Sequence, residues 1–231
     1  MFTGIIKEIG KIINISGQGK SKTLEISCSR IINDINNGDS IAVNGCCLTV
    51  TDFTQNSFRA DLSGITFSTT NFANAKINDA VNLEDSLKPS DRLGGHFVSG
   101  HIDGIAEITE IKKQGNSYIF KIKPPASLYP FIAPKGSVCL DGISLTIADF
   151  DMDIFTVSVI PHTYEYTALK YKKSGNFLNI EADLIARYIA NILKFSGPGQ
   201  LQGKLTEKNL DDIRQKDEKL KEKLIEYGFF K

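Results

Sequence analysis

The sequence predicts an all-β protein built as two similar tandem domains and followed by a helical tail. Three observations carry this reading. A segment of the first half recurs in the second half at a fixed offset. Both copies consist of short runs rich in Val, Ile, Phe and Thr, punctuated by Asn-Gly, Asp-Gly and other glycine turns. After the second copy, apolar residues change from strand to helical spacing.

The repeat is clearest between residues 40–62 and 137–159, which align without a gap at an offset of 137 − 40 = 97. Ser40/Ser137, Gly45/Gly142, Leu48/Leu145, Thr49/Thr146, Asp52/Asp149, Phe53/Phe150 and Phe58/Phe155 are identical, 7 of 23 positions. Chance would give about one or two. The same offset pairs Thr66/Thr163, Thr70/Thr167, Asn82/Asn179, Glu84/Glu181 and Leu87/Leu184, and an offset of 96 pairs Gly4/Gly100, Ile6/Ile102 and Ile9/Ile105. The expected domains are 1–96, 97–195 and a charged tail at 196–231. Asn44-Gly45 and Asp141-Gly142 are tight-turn dipeptides because both residue types tolerate positive φ. Each copy reads as a β-barrel or sandwich, forms that manage exposed strand edges.

In the tail region, Leu184, Ile185, Tyr188, Ile189, Ile192 and Leu193 recur at helical spacing, and Ser196-Gly197-Pro198-Gly199 is expected to stop that helix. Residues 204–231 hold 15 charged residues in 28, with Leu210, Ile213, Leu220 and Leu224 as an interrupted apolar stripe. Such a helix must cover something, either its own barrel or another subunit.

Composition removes whole classes of function. Lys plus Arg and Asp plus Glu are both 27, so there is no basic excess for gripping nucleic acid. The four cysteines, Cys28, Cys46, Cys47 and Cys139, form neither a disulfide framework nor a CxxC zinc pair. No run approaches 18 apolar residues, and MFTGIIKEIGK lacks the pattern of a signal peptide, so a cytoplasmic protein without membrane contact is expected. P-loop, GxGxxG and GxSxG motifs are absent.

Strand periodicity locates the candidate chemistry. Cys46, Leu48 and Val50 should share the core face, with Cys47, Thr49 and Thr51 opposite. Ile143, Leu145 and Ile147 should be their core equivalents, with Ser144 and Thr146 opposite. One fold position therefore carries a thiol in one copy, Cys47, and a hydroxyl in the other, Ser144. Polar residues repeated beside a glycine turn point to a ligand pocket. In GGHFVSGH, His96 and His101 would face opposite ways on one strand, poor geometry for a shared metal, so no metal is expected. His101 is the stronger candidate because its counterpart is the apolar Ile5, whereas His162 reads as a turn residue.

Taken together, MFTGII, NGCCLTV, GGHFVSGHIDG, DGISLTI, IPHT and the paired VNLE/LNIE resemble the riboflavin synthase family from Met1 to about Leu193. The charged tail ending EKLIEYGFFK is similar to a C-terminal extension of some members. The resemblance implies two closed Greek-key β-barrels and a C-terminal α-helical region that holds a homotrimer. It implies dismutation of two 6,7-dimethyl-8-ribityllumazine molecules, by transfer of a four-carbon unit, to riboflavin and 5-amino-6-(ribitylamino)uracil. Neither cofactor nor metal is implied. The active site would lie between the first barrel of one subunit and the second of a neighbour, and lumazine synthase is a candidate partner.

The resemblance places substrate contacts at Gly4, Ile5 and Ile6, at Gly100, His101 and Ile102, and at Lys135. It adds Cys47, Leu48 and Thr49 in the first copy and Ser144, Leu145 and Thr146 in the second. Further contacts fall on Asp61, Leu62, Ser63, Gly64, Ile65 and Thr66, and on Val159, Ile160, Pro161, His162, Thr163 and Tyr164. Cys47 and Thr49 would orient one ring, Ser144 and Thr146 the other, and His101 would shuttle a proton, since imidazole titrates near neutrality. The chain departs from the family at Ser63-Gly64-Ile65-Thr66, at Pro161-His162-Thr163 and at Glu84-Asp85, where acidic or Glu-Arg combinations are common. The competing function is a lumazine- or flavin-binding protein without catalysis.

Overall fold

Alternation in NGCCLTV and DGISLTI becomes two strands with one wet and one dry face. Cys46, Leu48 and Val50 are buried, as are Ile143, Leu145 and Ile147. Cys47 and Ser144 are half-buried, and Thr49 and Thr146 are exposed. The turns before them have positive φ at Asn44 (44°) and Gly45 (77°), and at Asp141 (44°) and Gly142 (83°), the geometry that matches the twist of a hairpin.

The computed structural model describes residues 1–17, 19 and 21–195. Six strands form the first barrel: β1 (Glu8–Ser16), β2 (Lys22–Ser27), β3 (Ser40–Val43), β4 (Cys46–Phe53), β5 (Ser57–Leu62) and β6 (Ala80–Asp85). Six more form the second: β7 (Gly104–Gln114), β8 (Ser117–Lys123), β9 (Ser137–Leu140), β10 (Ile143–Asp151), β11 (Ile154–Val159) and β12 (Phe177–Ala182). The strand orders β1-β2-β5-β4-β3-β6 and β7-β8-β11-β10-β9-β12 are the same around each closed, antiparallel barrel. Irregularities are duplicated too. Register shifts between Ile12 and Asn14 and between Val50 and Asp52 recur between Ile108 and Glu110 and between Ile147 and Asp149. An extra residue on one strand sharpens local twist, which helps a small sheet to close.

Each barrel has its own core. Phe58 and Phe72 are buried in the first, and Phe120 and Phe155 in the second. Burying a side chain of this kind contributes about 1.5–3 kcal/mol. Two short helices absent from the sequence reading follow the last hairpin of each copy: α1 (Gly64–Thr69) and α2 (Pro161–Glu165). Ser63 starts the first by accepting the Thr66 N–H at 3.1 Å, and Pro161 starts the second at a position where its missing N–H costs nothing. Helix α3 (Leu184–Phe195) follows β12, and Ile185, Tyr188, Ile189, Ile192 and Leu193 on it are more than half exposed. The expected stop at Ser196–Gly199 and the charged stripe of 204–231 lie outside the described residues. Among the described residues no helix is long and apolar enough to cross a membrane.

The barrels are joined by exchanged arms. Phe2 and Val98 form an antiparallel bridge, with Phe2 N to Val98 O at 2.8 Å and Val98 N to Phe2 O at 3.1 Å. Both side chains are buried with Ala42 and Cys139. Beside them, Asn82 Nδ2 donates to Asp141 O at 2.8 Å, and Asn179 Nδ2 donates to Asn44 O at 2.9 Å. The same Asn pair that marks the repeat in sequence thus ties each barrel to the turn of the other.

Candidate active site

Each arm carries a glycine from one barrel onto a strand of the other, Gly4 onto β10 and Gly100 onto β4. The Ser144 N–H donates to Gly4 O at 2.8 Å, and the Cys47 N–H donates to Gly100 O at 2.9 Å. The approach is too close for a side chain. A Cβ on Gly4 would sit 2.6 Å from Ser144 Cβ, and one on Gly100 would sit 2.5 Å from Cys47 Cβ. Both glycines also have positive φ, 76° and 84°, which other residues adopt only at a cost.

A buried carboxylate holds each arm in place. Glu84 Oε1 accepts from Thr3 N at 2.7 Å and Thr3 Oγ1 at 2.6 Å, and its Oε2 accepts from Gly4 N at 3.0 Å. Glu181 repeats the arrangement with Ser99 N at 2.7 Å, Ser99 Oγ at 2.6 Å and Gly100 N at 3.0 Å. Burial pushes both carboxyls above their usual range, and the three donors counter it in part. Sequence reasoning registered Glu84/Glu181 as a repeat but missed this clamp. The signal was present in the paired hydroxyls Thr3 and Ser99, which lie 96 apart while the glutamates lie 97 apart.

The two equivalent junctions of arm and strand differ where the sequence differs. At the first, Cys47 is the half-buried thiol, whereas its neighbour Cys46 faces the core and burial pushes its thiol up to about 12. At the second, Ser144 Oγ lies 2.7 Å from His96 Nδ1. His96 is 9% exposed, and its Nε2 has no hydrogen-bond partner among the described residues. Burial lowers its pKa, opposed in part by Asp183. The sequence ranks His101 above His96 because the counterpart of His101 is the apolar Ile5, a comparison that cannot reveal the contact of His96 with Ser144. The arm from Gly94 to Asp103 is irregular, with bends at Gly95 and Gly100, one isolated bridge at Val98 and a φ of 84° at Gly100, so strand alternation does not govern where its side chains go.

His101 is exposed, one residue beyond the glycine that meets Cys47, and its N–H donates to Ser99 Oγ at 3.2 Å. Ile5 is the exposed equivalent beside Gly4, and Ile6 and Ile102 are partly buried. Of the segments beyond the hairpins, Leu62 and Val159 are core, whereas Asp61 is exposed and accepts from Thr23 Oγ1 at 2.7 Å. Ile65 and Ile160 are 77% and 56% exposed. His162 is exposed on α2, its ring 4.6 Å from that of Tyr166. Tyr164 stacks on Tyr118 at 3.7 Å, where the first barrel has Phe67 with Lys22 Nζ 5.9 Å from its ring centre. Lys135, with a φ of 66°, donates its N–H to Ile147 O at 2.7 Å. Its equivalent Gly38 donates to Val50 O at 2.8 Å. No cluster of three or more His, Cys, Asp or Glu side chains suited to a metal occurs among the described residues.

Two duplicated barrels that exchange arms onto each other's strands are the architecture of a tandem lumazine-binding class of protein. A family model for the lumazine binding domain matches residues 3–86 and again 99–183. The chain is 47% identical over 193 residues to the riboflavin synthase of Actinobacillus pleuropneumoniae, covering 84% of this chain and 90% of that one. It is 42% identical over 212 residues to the riboflavin synthase of Bacillus subtilis (strain 168), covering 92% and 99%. Among solved structures, LumP complexed with 6,7-dimethyl-8-(1'-D-ribityl) lumazine matches with a TM-score of 0.72 at 26% identity, covering 79% of this chain and 99% of that one. LumP complexed with riboflavin matches with a TM-score of 0.74. The chain belongs to the riboflavin synthase family.

Proposed function

We propose that this chain catalyses the dismutation of two 6,7-dimethyl-8-ribityllumazine molecules, the last step of riboflavin biosynthesis. One molecule gives up a four-carbon unit and leaves as 5-amino-6-(ribitylamino)uracil, while the other gains it and becomes riboflavin. The observation that carries the proposal is the pair of equivalent junctions of arm and strand with unequal chemistry, a thiol at Cys47 and a His96-supported hydroxyl at Ser144. Two copies of one molecule must bind alike yet react differently, and a duplicated barrel with altered positions such as Cys47/Ser144 meets both demands. Holding the two rings in register supplies much of the acceleration, because an oriented encounter replaces a bimolecular one.

Cys47 and Thr49 orient one ring, and Ser144 and Thr146 the other. His101, beside Gly100, takes the proton from the acidic 7-methyl group and returns it later. The contacts from Asp61 to Thr66 and from Val159 to Tyr164 border the two pockets. The facing pockets belong to the first barrel of one subunit and the second barrel of a neighbour in a homotrimer, the arrangement that the resemblance to the riboflavin synthase family implies. The exposed apolar residues of α3 support such an assembly. The protein works in the cytoplasm, with lumazine synthase as the candidate supplier of its substrate. A non-catalytic lumazine carrier is the second reading, favoured by the fold match to LumP.

Purified protein incubated with 6,7-dimethyl-8-ribityllumazine alone should form riboflavin, followed by absorbance. Binding without product would leave only the carrier. In the same assay His101→Gln should lose well over tenfold in turnover, on the order of what general acid–base groups contribute; turnover within a few-fold of normal refutes the proton role.

A further inference from the structure

The two inter-barrel turns differ at one position that sequence reading treated only as turn chemistry. Asn44 and Asp141 are equivalent, with the same φ of 44°. In the first copy Asn44 Oδ1 accepts the Asn82 N–H at 2.8 Å. In the second, Asp141 Oδ1 accepts from Asn179 N at 2.7 Å and from Asn71 Nδ2 at 2.8 Å. Its Oδ2 lies 2.9 Å from Lys172 Nζ and has no hydrogen bond from any other described group. Asp141 is fully buried, and the Lys172 side chain is 17% exposed. The position equivalent to Lys172, 97 residues earlier, is Ala75. The amide of the first copy, with alanine at the position equivalent to the lysine, is thus replaced by a buried ion pair in the second copy alone.

The ion pair sits three residues before Ser144. Lys172 lines a cavity of about 340 Å³ between the barrels together with Asn44, Asn71 and Asn176. It reaches the β9–β10 turn through Asp141. Asp141 also anchors this turn through its main chain, donating N–H to Asn179 O at 2.8 Å and accepting from Asn82 Nδ2 at 2.8 Å. With the turn held at these points, β10 leaves it in one direction, and the Ser144 N–H meets Gly4 O while its Oγ meets His96.

We infer that Asp141 and Lys172 are positioning residues for Ser144. Their ion pair sets the geometry of the second pocket more rigidly than Asn44 sets that of the first. The inference rests on the dismutase reading only for its kinetic readout. A buried carboxylate whose one counter-charge is removed is strongly unfavourable, whereas removing both charges is mild. This contrast supplies the test.

In the full-length protein, Lys172→Met should lower kcat for riboflavin formation about tenfold, since a displacement of an ångström or less at a reacting group costs that much or more. Titration with 6,7-dimethyl-8-ribityllumazine should show weakening at one of the two sites per chain. The double variant Lys172→Met/Asp141→Asn, which recreates the amide and apolar combination of the first copy, should return kcat to within about threefold of the parent. A Lys172→Met protein with kcat within about twofold and both sites intact overturns the inference, as does a double variant no better than the single one. Should Lys172→Met fail to fold, recovery of folding in the double variant supports the pairing, and failure of both overturns it. A parent protein that binds lumazine but forms no riboflavin would refute the dismutase reading, leaving the two-site titration to decide the positioning role.

Discussion

Replacing Glu181 by Ala isolates the arm clamp. The variant removes the acceptor of Ser99 N, Ser99 Oγ and Gly100 N, at 2.7, 2.6 and 3.0 Å. The hydroxyl can turn to water because Ser99 is half-buried, so the cost falls on two backbone N–H groups. Each orphaned buried donor costs about 1–3 kcal/mol. Against this, a carboxylate that is 2% exposed no longer has to be held away from water. The net loss should be about 2–4 kcal/mol. With an m-value of about 2 kcal/mol/M, the urea midpoint should fall by about 1–2 M. Because the chain has no tryptophan, far-UV circular dichroism is the suitable probe. The functional effect should be crossed. Glu181 holds Gly100, and Gly100 O accepts the Cys47 N–H, so ligand affinity should fall at the first barrel's pocket although Glu181 belongs to the second. Glu84→Ala should do the reverse, through Gly4 and Ser144. A midpoint within about 0.3 M of the parent, or loss confined to the pocket of the mutated residue's own barrel, would refute the reasoning.

Gly100→Ala should be harsher on the pocket than on the barrel, because a Cβ there would lie 2.5 Å from Cys47 Cβ at a φ of 84°. Ligand titration should show the first site lost while circular dichroism still reports two folded barrels, and an unchanged first site would show that the arm has room to move. Glu8 offers a pH test. Burial raises its pKa, but donors from Arg30, Ser29 and Ile31 outweigh this and hold it below the ordinary 4.5. The unfolded chain therefore takes up the proton first on acidification. The stabilisation is present above pH 4.5 and is lost as pH falls through the lower folded value. Glu8→Gln should cost stability at neutral pH, and the gap to the parent should close as the pH drops below 4.5, measured by urea unfolding; a constant gap would refute the assignment.

Much of the fold was legible because its causes are local or repeated. Positive φ at Asn44-Gly45 and Asp141-Gly142 follows from residue type. The burial of Cys46 and exposure of Thr49 follow from strand alternation. The short helices α1 and α2 escaped because five or six residues give too little periodicity to separate them from loop. His96 escaped for another reason. Its environment comes from Ser144, 48 positions away, and the arm that carries it is not a strand.

By itself, the sequence determined that there are two copies of one β domain, and which positions within each copy are core, turn or polar face. Those properties depend on neighbours a few residues apart, and the duplication displays them twice. Only the tertiary structure decided that the copies exchange arms. Gly4 reaches Ser144, Gly100 reaches Cys47, and Glu84 and Glu181 bind N–H groups some eighty residues away. A repeat offset states that two positions are equivalent, without stating which copy each one touches. That choice is made by packing, where the absence of a Cβ at two glycines lets each barrel's arm lie against the other's strand.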